Sequence, residues 1–178
     1  MRAPGRITAS QSLAALVEPA DLFHTPDGRG YATLQIDGHH ETWPVRSKRF
    51  KAWLGRAYYA TVRKPAPTQA MTETIALAEA RALEGPEQPV HVRVAKSGEM
   101  ICIDLADDRW RVVEVDAKGW RVLEHSPVKF HRAAGMHPLP MPTPGAPLET
   151  LRAFVNVADE NTWRLLVHWL VMGFSSPW

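Results

Sequence analysis

Residues 46–64, RSKRFKAWLGRAYYATVRK, concentrate the chemistry of this chain. Arg46, Lys48, Arg49, Lys51, Arg56, Arg63 and Lys64 put seven cations into one stretch that holds no acid. The nearest carboxylates in sequence are Glu41 before it and Glu73 after it. Ammonium and guanidinium groups at this density attract phosphate, and a surface that neutralises several backbone phosphates releases their counterions. Tyr59, and Trp43 just upstream, are placed to stack on bases beside those cations. The plainer alternative is a solvated basic face on an ordinary amphipathic helix.

Other residue types invite other chemistry. His39 and Glu41 flank His40 after an Asp37-Gly38 dipeptide; on a strand, alternate residues share a face, so His39 and Glu41 can act together while His40 cannot join them. A metal-dependent nuclease would add some of Asp104, Asp107 and Asp108, with His24, Asp27 and His91 as more distant ligand candidates. Against this, Asp107-Asp108 falls in a turn, where aspartate serves the backbone. Cys102 alternates with larger apolar residues in MICIDL and reads as a small sheet residue; no local motif makes it a nucleophile. DGRG at 27–30 lacks the strand-to-helix context of a phosphate cradle and reads as a turn.

The elements that must position these groups follow from periodicity. At about 3.6 residues per turn, Phe50, Trp53, Leu54, Ala57 and Tyr58 share one face, as on a helix docked on a core. Most of the cations then point elsewhere. Lys64-Pro65-Ala66-Pro67 ends this helix near Arg63. A second helix is predicted from about Thr68 to Leu83, with Met71, Ile75, Ala78 and Ala82 on one face and Gly85-Pro86 as the stop. The pair is a helix-turn-helix or a plain helical hairpin; periodicity does not separate the two. Upstream, Ser10 or Ser12 caps a short helix through Leu13, Leu16 and Val17, after a flexible start over residues 1–9. LFHTPDGRG reads as turn-rich, and YATLQI and HHETWPV as a hairpin around Asp37-Gly38.

Downstream lies an antiparallel meander: VHVRV, MICIDL with Ile101, Ile103 and Leu105 on one face, WRVVEV and WRVLE. Trp110 and Trp120 each open a strand and could pair across it. VKFHR is a candidate last edge strand. Residues 135–147, GMHPLPMPTPGAP, hold five prolines and read as a semi-rigid connector. Beyond it come a short helix over Leu148–Phe154 and a second one capped by Asp159 or Asn161. The expected class is α+β: an α+β body over residues 1–134, a proline-rich linker over 135–147 and a helical tail over 148–178.

That tail is apolar on more than one face, and such a helix is normally buried. Trp163, Leu166, Val167, Leu170, Val171 and Phe174 are therefore expected to dock on another domain, another subunit or a membrane surface. The implied chain is a fragment of a longer protein or an obligate oligomer. The longest apolar run, LLVHWLVMGF, is too short to span a bilayer.

Bulk properties bound these readings. With 178 residues, 45% hydrophobic and 22% charged, the chain is long and apolar enough for a packed domain. Its net charge of +2 means that any nucleic-acid affinity comes from local clustering. A single cysteine excludes an internal disulfide framework and a cysteine-rich zinc site, and makes the cytoplasm the expected compartment. Residues 1–10 lack the apolar core of a signal peptide.

Four segments taken in order, FHTPDGRGYATLQIDGHHETWPVRSKRFKAWL, LADDRWRVVEVDAKGWRVLEHSPVKFHR, MHPLP and FVNVADENTWRLLVHWLV, resemble the region just upstream of the ATPase core in phage- and mobile-element-type primase-helicases. The resemblance covers most of residues 20–174. It implies a replication-associated DNA-handling protein whose phosphate-binding loop would follow shortly after Trp178. No GxxxxGK[ST] occurs in this chain, and the matching segments supply no catalytic residue. The expected function is a non-catalytic DNA-binding or scaffolding region, with no cofactor of its own. Its partners would be DNA, an adjacent ATPase domain or subunit, and a second copy in a homo-oligomer, with no membrane. The rival readings are a metal-dependent nuclease and an oligomerisation module without nucleic-acid binding.

Overall fold

A computed structural model describes residues 8–175, and the side chains of residues 8–173. The flexible start read over residues 1–9 therefore falls almost entirely outside the described residues. The fold is α+β, with two antiparallel sheets of three and four strands. The chain divides into two compact units: residues 1–90 with Lys129–His131, and residues 91–128 with 132–178.

The first unit runs α1 (Ala9–Val17), β1 (Asp21–His24), β2 (Gly30–Ile36), β3 (His39–Pro44), α2 (Lys48–Val62) and α3 (Thr68–Glu84). α1 is capped by Thr8 rather than by either serine. The Thr8 hydroxyl accepts from the Gln11 N–H, and the Gln11 side chain accepts from the Thr8 N–H, a reciprocal capping box. The segment read as turn-rich holds a strand: β1 pairs with β2 from Asp21↔Thr33 to His24↔Gly30. Four residues are too few to show an alternating pattern, and Pro26 and Gly28 hide the strand in sequence. The Asp37-Gly38 hairpin forms as expected, with φ of 48° and 87° at its two central residues, the pairing of a type I′ turn.

One face of this sheet packs on the helices. Ala32, Leu34, Trp43 and Val45 meet Leu13 and Val17 of α1, Phe50, Leu54 and Tyr58 of α2, and Met71, Ala78 and Ala82 of α3. The opposite face carries Phe23, Tyr31 and a buried Thr33–Thr42 hydroxyl pair at 2.9 Å. VKFHR does not form a strand of either sheet. Instead Lys129 bonds Asp21 and the Thr33 hydroxyl (3.1 Å) and lies over Phe23, while His131 meets Tyr31 edge-on. A lysine with two acceptors on the sheet ties this segment to it.

Gly85 ends α3, but not through a left-handed conformation: its φ is −74°. A Cβ there would lie 2.6 Å from the Leu22 carbonyl oxygen, so it is close backbone approach that requires glycine.

The second unit holds β4 (Val94–Ser97), β5 (Met100–Asp104), β6 (Val112–Asp116) and β7 (Gly119–Leu123) in simple meander order, then a 3-10 helix (Leu148–Phe154) and α4 (Glu160–Ser175). Two strands start later than the alternation suggests. Arg93 sits at φ 67°, with its guanidinium donating to the Asp104 and His137 carbonyls, so VHVRV contributes only its last residue and Val92 is exposed. Trp110 sits at φ 58°, outside β6. Trp110 and Trp120 are therefore not partners: Trp120 faces Val115 across the ladder, and Trp110 lies 3.7 Å beneath the Arg132 guanidinium. In β5 the more deeply buried side is that of Cys102 and Asp104, while Ile101 and Ile103 on the other side are half-buried. A charged residue can take the deep side because Arg132 meets it with two hydrogen bonds, of 2.9 and 2.6 Å.

α4 begins where Asp159 caps it, its carboxylate accepting the Thr162 N–H at 2.8 Å. That bond and the one from the Thr162 hydroxyl hold the Asp159 carboxyl below its ordinary 3.8. A depressed folded value means that the cap contributes above the unfolded pKa and is lost as pH falls through the folded one. Protection of the first-turn amides of α4, taken relative to their intrinsic exchange, is thus expected to fall on acidification below about pH 4, and to be low at neutral pH in Asp159→Ala. Equal protection in the wild type and the variant would show that the cap is idle.

Candidate nucleic-acid interface

The cations of residues 46–64 are presented by α2. Its start is fixed by Ser47, whose hydroxyl accepts the Phe50 N–H at 3.1 Å. Its end is fixed by Arg63 in the left-handed conformation (φ 58°), its N–H bonded to the Tyr59 carbonyl, with Pro65 following. Phe50, Leu54 and Tyr58 are buried and Trp53 is half-buried, as their spacing predicts. Lys48, Arg49, Lys51, Arg56, Tyr59, Arg63 and Lys64 are exposed. From Lys48 to Arg63 the helix advances by about 22 Å at 1.5 Å per residue, the scale of several nucleotides. No acid occupies the first turn, which instead carries Lys48, Arg49 and Lys51. Cations there oppose the helix dipole, so the local electrostatics favour an anion rather than fold stability.

Two of the seven cations are engaged by acids. The Arg46 guanidinium forks onto both carboxylate oxygens of Glu79 on α3. This bond raises the Arg46 pKa and lowers that of Glu79. Arg49 meets the buried Glu41 at 2.7 Å and lies over the Trp43 ring at 4.8 Å. Lys48, Lys51, Arg56, Arg63 and Lys64 have no ion pair among the described residues. Tyr59 is 54% exposed and sits three residues after Arg56 and four before Arg63, on the same side of the helix. Trp43, the other stacking candidate, is buried at 3% in the helix-facing core and cannot offer its ring to a base.

α3 lies alongside, with the Met71 methyl 3.6 Å from where a Gly55 Cβ would sit. Its outer side carries Glu73, Glu79 and Glu84, and only Arg81 in the last turn. As the recognition helix of a helix-turn-helix it would bring carboxylates against phosphates. Of the two helices, α2 is thus the one whose exposed side is cationic.

The candidate nuclease residues fall differently. His39 and Glu41 do meet, at 3.1 Å, but the second Glu41 oxygen is held by Arg49. Asp104, Asp107 and Asp108 belong to the second unit. There Asp104 is bound by Arg132, and Asp107 by the Arg111 side chain at 2.6 Å and its N–H at 3.0 Å. Burial raises the Asp107 pKa, but the Arg111 bonds outweigh it and leave the carboxyl below its ordinary value. Among the described residues no group of three or more His, Cys, Asp or Glu side chains is placed to hold a metal ion. Cys102 is fully buried, which pushes its thiol pKa up.

Of the docking residues expected in the tail, Trp163 is buried, with the Arg152 guanidinium 4.6 Å from its ring. Leu166, Val167 and Leu170 are half-buried and Val171 is exposed. The Phe174 side chain lies outside the described residues. Trp163, Val167 and Val171 line a groove of about 300 Å³ with Leu148, Glu160, Arg164 and His168. Within α4 the most exposed apolar side chains among the described residues are others, Leu165 at 70% and Trp169 at 68%, with Met172 a turn further on. Their spacing of four and three residues puts them on one side of α4, but an all-round apolar helix does not say which side stays open. Among the described residues no helix is long and apolar enough to cross a membrane. No protein-family model, curated protein or solved structure matches this chain.

Proposed function

We propose that this chain is a non-catalytic DNA-binding region whose contact surface is the exposed side of α2. The observation that carries this reading is the set of five exposed cations, Lys48, Lys51, Arg56, Arg63 and Lys64, that no acid among the described residues neutralises, with Tyr59 presented between Arg56 and Arg63. Phosphates would take the cations and a base would stack on Tyr59. Such contacts hold the backbone and carry little sequence information. The resemblance of residues 20–174 to the region preceding the ATPase core of primase-helicases extends the proposal to replication of a phage or mobile element, in the cytoplasm. On that reading α4 docks on the adjacent ATPase domain or on a neighbouring subunit, and its exposed Leu165, Trp169 and Met172 support such a role.

Those same three residues favour a second reading, an oligomerisation module in which α2 is only a solvated face. Fluorescence anisotropy against labelled single-stranded and duplex DNA across a salt series separates the two. The wild type is expected to bind with log affinity falling against log salt by about 0.7–0.9 per neutralised phosphate. The triple variant Lys48→Glu/Lys51→Glu/Arg56→Glu is expected to lose at least about tenfold in affinity and to flatten the slope by roughly 2–3. An unchanged slope in that variant removes α2 from the interface.

A further inference from the structure

The fork between Arg46 and Glu79 uses the geometry by which a guanidinium holds a phosphate. Arg46 stands at the start of the cationic stretch, just before the Ser47 cap, and its side chain is 72% exposed. Glu79 reaches it from α3 and is itself solvent-accessible at 22%. A phosphate approaching α2 therefore meets Arg46 already occupied by an acceptor of the same shape and charge sign. Glu41 holds Arg49 in another way. It is 7% exposed and is also bonded by His39, so that pair is an anchor and not a displaceable contact.

We propose that Glu79 is an internal competitor for polyanions at Arg46, the residue that sets how many phosphates the α2 surface takes up. With Glu79 in place, Arg46 contributes no net charge to the surface; a phosphate gains that contact only by displacing the carboxylate. This rests on α2 being the nucleic-acid surface and adds the residue that limits its affinity.

The test is the same DNA salt series on the full chain, comparing wild type, Glu79→Gln, Glu73→Gln and Arg46→Gln/Glu79→Gln. Glu73 is the matched control: it lies on the same helix but bonds Ser10 and Gln69 rather than an arginine. Glu79→Gln is expected to bind several-fold tighter, with a salt slope steeper by about 0.7–0.9, one added phosphate contact. Glu73→Gln should leave the slope as it is, and adding Arg46→Gln should cancel the gain. Equal gains from Glu79→Gln and Glu73→Gln would reduce the effect to bulk charge and overturn the proposal. Wild-type binding with no change in Glu79→Gln would overturn it while leaving α2 as the interface. Absence of DNA binding in every variant at low salt would overturn both.

Discussion

Arg132→Ala is expected to destabilise the second unit by about 3–5 kcal/mol, the cost of leaving a buried carboxylate without its partner. Asp104 is 1% exposed at the end of β5, and Arg132 donates to both its oxygens. The same guanidinium donates to the Asp107 carbonyl and covers the Trp110 ring. Three contacts thus converge on the loop between β5 and β6, where Ala106 (φ 54°) and Trp110 (φ 58°) hold left-handed conformations that non-glycine residues adopt only under constraint. Asp104 also accepts the Ala106 N–H at 2.9 Å, which helps to fix the first of them. Removing Arg132 leaves the carboxylate unpaired and releases the loop at once. Denaturant titration, read with amide exchange over β4–β7, measures the loss. A change below about 1 kcal/mol would mean that water replaces the arginine, the behaviour of a surface pair rather than a buried one.

Phe50→Ala carries a loss of similar size in the first unit, about 3–5 kcal/mol. Phe50 is fully buried in the core that α1, α2, α3 and the three-stranded sheet share, with its ring centroid 5.5 Å from that of Trp53. Truncation leaves a cavity between elements that are held apart by their other side chains, so collapse is incomplete. Tyr59→Ala, nine residues further along the same helix on its open side, is expected to change stability by less than about 0.5 kcal/mol. The contrast checks the assignment of faces independently of any ligand: equal costs at the two positions would show that α2 is not oriented as described. If α2 is the DNA surface, Tyr59→Ala then lowers affinity without lowering stability.

Much of this protein was written into local sequence. Apolar spacing at 50, 53, 54, 57 and 58 placed α2 and its buried side, because that pattern has one solution at helical period. The Lys64-Pro65-Ala66-Pro67 run marked the end of α2, and Asp37-Gly38 marked the hairpin, since few residues accept the backbone those sites require. The α+β class and the extent of α3 followed in the same way; for the cap of α4 spacing left Asp159 and Asn161 open, and the bond from the Thr162 N–H decides for Asp159. Tertiary structure decided what depends on residues far apart in the chain. Glu79 and Arg46 are 33 residues apart, and Glu41 reaches Arg49 from a strand. Nothing local shows that two of the seven cations are engaged while five have no ion pair among the described residues. Arg132 matches Asp104 from 28 residues away and so turns the deep side of β5 over to Cys102 and a charge. Positive φ at Arg93 and Trp110 cut short strands that alternation had extended; there the Arg93 guanidinium is held by the Asp104 and His137 carbonyls and the Trp110 ring lies under the Arg132 guanidinium. Sequence sets which groups are present and which way each element faces. Which charges cancel is fixed only when the chain has folded, since a pair energy falls with distance in space and not along the chain.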